Sequence, residues 1–117
     1  MRRLFIAFAV LLLATLSLSA CSSGSGSGGG GPTTIDITIK GGKVTPNGDR
    51  VKASVNQPIT LKIDADTSGE IHVHSSPEQQ IPFDKGTSTK KLVIKKPGII
   101  DVEDHALDAV IVQLQVS

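Results

Sequence analysis

Three histidines carry most of the chemistry this sequence can do. His72 and His74 stand two apart in the stretch Glu70-Ile71-His72-Val73-His74. In an extended strand, residues i and i+2 point to the same face, about 6–7 Å apart. Two imidazoles placed that way can reach one metal ion. Glu103 and His105 repeat the spacing further along, with Asp101 one step back on the same face. Brought onto neighbouring strand ends, the two pairs make a nitrogen- and oxygen-rich site suited to Cu(II) or Zn(II). A plainer reading stands beside this one. An amphipathic strand shows alternate polar residues to water whether or not they bind anything. His72 and His74 then remain solvated, and Asp101, Glu103, Asp104 and Asp108 form a solvated acidic strand end.

No other constellation competes. Ser75 and Ser76 follow His74 directly, but adjacency in sequence is not a triad, and no nucleophile elbow surrounds either serine. The chain therefore reads as a non-enzyme. Lys90, Lys91, Lys95 and Lys96 read as solubilising strand ends, or as a patch for an acidic partner.

The elements that must position the histidines are strands. From Thr33 on, the dominant period is two. Ile35, Ile37 and Ile39 alternate with polar residues until Gly41-Gly42 breaks the run, and Pro46-Asn47-Gly48-Asp49 is a strong turn signal. Val51, Ala53 and Val55 resume the alternation. After a corner at Asn56-Gln57-Pro58 come Ile59, Leu61, Ile63 and Ala65, then a turn at Asp66-Thr67-Ser68-Gly69. In the histidine strand, Ile71 and Val73 take one face and the histidines the other. A polar loop is expected from Ser75 to Thr87, then a strand from Ser88 to Ile94. Pro97-Gly98 leads into Ile99 to His105, and Val110 to Val116 forms a final amphipathic strand. About seven strands at this spacing, with no sustained helical period, predict an all-β domain whose two sheets pack face to face as a sandwich.

Ahead of that domain, residues 1–20 open with Met1-Arg2-Arg3, continue as an apolar run over residues 4–18, and end in small residues before Cys21. The run is short for a membrane span, which takes about 20 residues, and suits an export signal. The block Leu18-Ser19-Ala20-Cys21 resembles the bacterial lipobox. That resemblance implies removal of residues 1–20, a diacylglycerol and palmitate on Cys21, and a membrane-anchored protein on the extracytoplasmic side. Residues 21–32 then form a Ser/Gly-rich tether, a composition that behaves as a flexible coil. Residues 33–117 are the globular domain.

Composition narrows the chemistry. The 117 residues contain one cysteine. With Cys21 committed to lipid, no thiol remains for a disulfide, a nucleophile or a metal. Without Arg2 and Arg3, 10 basic residues face 11 acidic ones, so no electrostatic field gathers nucleic acid. Phe83 is the lone aromatic residue beyond the signal, which excludes the stacked aromatic platforms of sugar and base readers.

The histidine strand Ile71 to Ser76, followed by Pro97-Gly98-Ile99-Ile100-Asp101-Val102-Glu103-Asp104-His105 and a Val-rich last strand, resembles the cupredoxin-like fold, a Greek-key β-sandwich. The resemblance covers about residues 33–117. It implies one of His72 or His74 at the first copper-ligand position and His105 at the second. The chain departs from the type 1 copper pattern, which needs a cysteine thiolate shortly before the second histidine and usually a methionine after it. Asp101 to Asp104 holds no cysteine, and Ala106 to Asp108 no methionine. Two functions remain open. One is a membrane-tethered binding module that holds Cu(II) or Zn(II) through His72, His74, His105 and Glu103. The other is a metal-free domain that contacts another protein of the cell envelope.

Overall fold

The computed structural model describes residues 31–117. The expected signal, Cys21 and all but the last two residues of the expected tether lie outside the described residues. Within them the chain forms nine strands: β1 (Thr33–Lys40), β2 (Lys43–Thr45), β3 (Asp49–Ala53), β4 (Ile59–Ala65), β5 (Gly69–Val73), β6 (Gln79–Phe83), β7 (Gly86–Leu92), β8 (Gly98–Asp104) and β9 (Ala109–Val116). They build a four-stranded sheet in the order β2-β1-β4-β7 and a five-stranded sheet in the order β3-β9-β8-β5-β6. The chain changes sheet at β2–β3, β3–β4, β4–β5, β6–β7 and β7–β8. These crossings leave two parallel pairs, β1 with β4 and β3 with β9. The result is the expected two-sheet Greek-key sandwich.

Alternation explains why these segments become strands and which side they bury. In β4, Ile59, Leu61, Ile63 and Ala65 are buried while Thr60, Lys62 and Asp64 face outward. Burying one such aliphatic side chain contributes about 1.5–3 kcal/mol. The same rule turns Ile35, Ile37 and Ile39 of β1 inward, against Ile71, Val73, Val102 and Leu114 of the other sheet, in one continuous core. Gly41 and Gly42 have φ of 59° and 72°, the paired positive values a type I′ turn requires between Lys40 and Lys43. Phe83 is 3% exposed and sits over Gly69, where an added Cβ would fall 2.6 Å from its ring.

Four expectations are corrected. The strand count is nine, not seven, because Lys43–Thr45 pairs with β1 and Gln79–Phe83 pairs with β5. The segment Ser75 to Thr87 is therefore not one polar loop: Ile81 and Phe83 anchor β6 in the core. The strand expected at Ser88 to Ile94 starts earlier, at Gly86, and ends at Leu92. Finally, Asp104 is not part of a solvated strand end. It is 2% exposed, and its Oδ1 accepts a hydrogen bond from Leu107 N at 3.2 Å.

Candidate metal centre

The histidines lie on the outer face of the five-stranded sheet. Strands β5 and β8 are antiparallel neighbours, with Ile71 opposite Asp104, His72 opposite Glu103 and Val73 opposite Val102. Ile71, Val73 and Val102 are wholly buried. Period two then fixes His72, His74 and Glu103 on the outside. His74 continues past the end of β5, and its N–H donates to Asp101 O at 2.9 Å. His105 follows the last residue of β8 and opens a tight turn in which Asp108 N donates to its carbonyl at 3.2 Å. Asp108 closes that turn with φ of 49°, a left-handed conformation that Asp tolerates.

One irregularity sits beside the site. Val102 pairs with Val112, but Glu103 pairs with Val110, so Ile111 is an extra residue in β9. Ile111 and Val112 are both fully buried. Bulges of this kind strengthen local twist and redirect side chains, and they recur next to functional sites.

The side chains close into a ring. His72 Nδ1 lies 2.6 Å from His105 Nε2, and His72 Nε2 lies 3.1 Å from Glu78 Oε2. His74 Nε2 lies 2.9 Å from Glu103 Oε2. Two longer contacts complete the circuit, His74 Nδ1 to Glu78 Oε1 and His105 Nδ1 to Glu103 Oε1, each 3.5 Å. All six imidazole nitrogens therefore face a polar partner within the cluster. The rings are tilted, with centroids 4.6 to 5.8 Å apart. His72 and Glu103 are the enclosed members, with side chains 15% and 17% exposed. Glu78 is open, at 60%.

Of the residues singled out in the sequence, His72, His74, His105 and Glu103 are brought together. Asp101 is not: it stands on β8 two residues before Glu103, and its Oδ1 is turned to the next strand, where it accepts from Gln113 Nε2 of β9 at 3.0 Å. Glu78 was missed by sequence reasoning. It belongs to the short connection between β5 and β6, which two buried or half-buried side chains hold in shape. Ser75 Oγ donates to Pro77 O at 2.7 Å, while Gln79 Nε2 donates to Ser75 Oγ at 3.1 Å and to Val93 O at 3.0 Å. That scaffold places the Glu78 carboxylate across both His72 and His74. The four-residue step from His74 to Glu78 would have signalled it only once β5 and β6 were recognised as a hairpin.

The donor set fits a borderline metal. One nitrogen from each of His72, His74 and His105 lies within 4.8 Å of the others. Ligand bonds of about 2 Å hold any two donors within roughly 4 Å of each other, so only a fraction of an ångström per ring separates this arrangement from coordination. Imidazole nitrogen with carboxylate oxygen suits Zn(II) and Cu(II). The described residues contain no cysteine and no methionine, so a type 1 copper centre cannot be assembled from them.

Comparison with known proteins agrees with the architecture. No protein family profile matches the chain, and no curated protein matches it. Solved structures do share the fold. A purple cupredoxin from Nitrosopumilus maritimus superposes with a TM-score of 0.51 at 18% identity, over 73% of this chain and 99% of that one. The Cu(I) form of an amicyanin mutant superposes with a TM-score of 0.53 at 11% identity, over 78% and 87% of the two chains. The domain is thus a cupredoxin-like β-sandwich. On that fold this chain carries an outer-face cluster of three histidines and two glutamates.

Proposed function

We propose that this chain is a small metal-binding lipoprotein of the cell envelope. It holds one Cu(II) or Zn(II) through His72, His74 and His105, with Glu103 beside them, and it is not an enzyme. The observation that carries this reading is the convergence of the three imidazoles on one sheet face, from two neighbouring strands and the turn that follows them. The copper named for the amicyanin structure supports a metal on this scaffold, while the donors here are nitrogen and oxygen rather than sulfur. A bound metal would supply a positive charge and a coordination centre. The protein's residues supply its position, at the sheet surface and open to solvent on the Glu78 and His105 side.

The anchor is part of the same proposal. The basic start, the apolar run and Leu18-Ser19-Ala20-Cys21 support export, cleavage before Cys21 and lipid attachment at the extracytoplasmic face of a membrane. The site then stands off the bilayer on residues 21–32.

Cu(II) and Zn(II) titration of the protein beside a His72→Ala/His74→Ala double variant tests the metal reading. Saturable one-to-one binding that the double variant loses supports it. Equal, weak binding by both proteins overturns it and leaves a metal-free interaction domain of the envelope.

A further inference from the structure

Glu78 extends the site beyond its three histidines. Three neutral imidazoles carry three N–H groups, and these suffice for the three hydrogen bonds of the ring, with each Nε2 donating: His72 to Glu78, His74 to Glu103 and His105 to His72 Nδ1. This tautomer assignment leaves two bare lone pairs, at His74 Nδ1 and His105 Nδ1. Each faces a carboxylate oxygen at 3.5 Å, Glu78 Oε1 and Glu103 Oε1 respectively. Acceptor thus opposes acceptor in two gaps, and either a proton or a metal cation turns such an opposition into attraction. Charge gives the same answer. With neutral imidazoles the ring carries the two negative charges of Glu78 and Glu103, which one divalent ion cancels and a monovalent ion does not.

We propose that Glu78 is a metal ligand supplied by the β5–β6 connection, and that with His72, His74, His105 and Glu103 it forms a charge-matched site for one divalent ion, Zn(II) or Cu(II), in preference to Cu(I). This deepens the metal-binding reading and rests on it. Glu78 sits on the solvent side of the cluster, and its loop is pinned by Ser75 and Gln79, so the carboxylate is held over the imidazoles while its outer side stays open for an arriving ion. Sulfur donors are what favour Cu(I), and the described residues contain none.

The test uses the full chain with Zn(II), Cu(II) and Cu(I) in competition with chromophoric chelators, and continuous-wave EPR of the Cu(II) form. Glu78→Gln keeps the size of the side chain and removes its charge. Glu70→Gln removes the same charge from the same face of β5, outside the ring, and serves as the control. Glu78→Gln is expected to weaken both divalent ions by more than the roughly 10–100-fold that loss of an outer partner costs and to change the Cu(II) EPR parameters, while Glu70→Gln leaves both as they were. The intact protein is expected to prefer Cu(II) over Cu(I). Unchanged affinity and an unchanged spectrum in Glu78→Gln, in a protein that loses metal with His72→Ala, overturns the role of Glu78 alone. Tighter binding of Cu(I) than of Cu(II) overturns the divalent preference. Failure of His72→Ala to affect any metal overturns the underlying site as well.

Discussion

His72 Nδ1 stands 2.6 Å from His105 Nε2 across 33 residues of sequence. Nothing local brings them together. The contact follows from the antiparallel register that sets His72 opposite Glu103, which puts His105 two residues on from Glu103, just past the end of β8. The register is in turn held by the burial of Ile71, Val73 and Val102 on the reverse face. Slipping β5 by one residue would turn the histidines into the core and the aliphatics into water.

Removing either partner of that contact should therefore abolish tight metal binding. His72→Ala and His105→Ala are each expected to lower Zn(II) affinity by more than the roughly 10–100-fold that loss of an outer partner of a ligand costs. Competition titration measures this. Asp101→Asn serves as the contrast and should leave the affinity within a few-fold, because Asp101 is bound to Gln113 instead.

Metal should also stabilise the fold, since the five cluster residues come together only in the folded chain. At a free ion concentration about 100 times Kd, binding adds about 2.7 kcal/mol, which for a domain of this size raises Tm by about 10–20 °C. Differential scanning calorimetry should show this rise with Zn(II) and its reversal by excess chelator. A Tm indifferent to saturating Zn(II) would rule out a site formed by folding.

Imidazolium cannot ligate, so protons compete with the metal. Lowering the pH from about 7.5 to about 5, across the value of roughly 6.5 for free imidazole, should weaken Zn(II) binding. The sign is fixed: affinity rises with pH and is lost on acidification. Titrations at several pH values test it, and flat affinity across this range would exclude imidazole ligands.

The packing behind the site predicts a paired effect. Gly69→Ala would place a Cβ 2.6 Å from Phe83 Cζ, in a ring that is 3% exposed and cannot swing away. It should destabilise the domain by about 1–3 kcal/mol, measured by urea denaturation. The double variant Gly69→Ala/Phe83→Leu, which shortens the opposing side chain, should recover part of that loss. Additive destabilisation instead would show that the two residues do not clash.

Asp104 gives a prediction about shape rather than ligation. Its buried carboxylate caps the turn that presents His105. Asp104→Ala leaves the Leu107 N–H without its acceptor, at a cost of about 1–3 kcal/mol, and loosens His105. Urea denaturation and Zn(II) titration of the same variant should show reduced stability together with reduced affinity.

Legibility in the sequence tracked how much of each feature was carried by period two. Strands β1 and β4 show long clean alternation, so both their existence and their buried faces were readable, whereas β9 was readable as a strand but its bulge buries Ile111 beside Val112 and breaks the period. β2 has three residues and one inward side chain, Val44, too few to display a period. β6 carries only Ile81 and Phe83 inward, and Pro82 interrupts the run, which suits the edge position it occupies but hides it as a strand. Asp104 was legible in principle. If Asp101, Glu103 and His105 face outward, Asp104 must face in, and only its charge argued otherwise. Glu78 was not legible, because its direction is set by hydrogen bonds from Ser75 and Gln79 to groups that meet only in the folded chain.

The parallel pairing of β1 with β4 has a mechanical consequence. Thr33 to Ile39 face Ile59 to Ala65 over seven consecutive positions, and β2 flanks β1 on its other side. A pull on the chain ahead of Thr33 that is directed along the axis of β1 acts on this ladder. It loads those hydrogen bonds in shear, all together, rather than peeling them one by one. The strand nearest the N-terminus is thus the one best placed to bear tension, and force applied there should leave the histidine face intact until the whole ladder gives way.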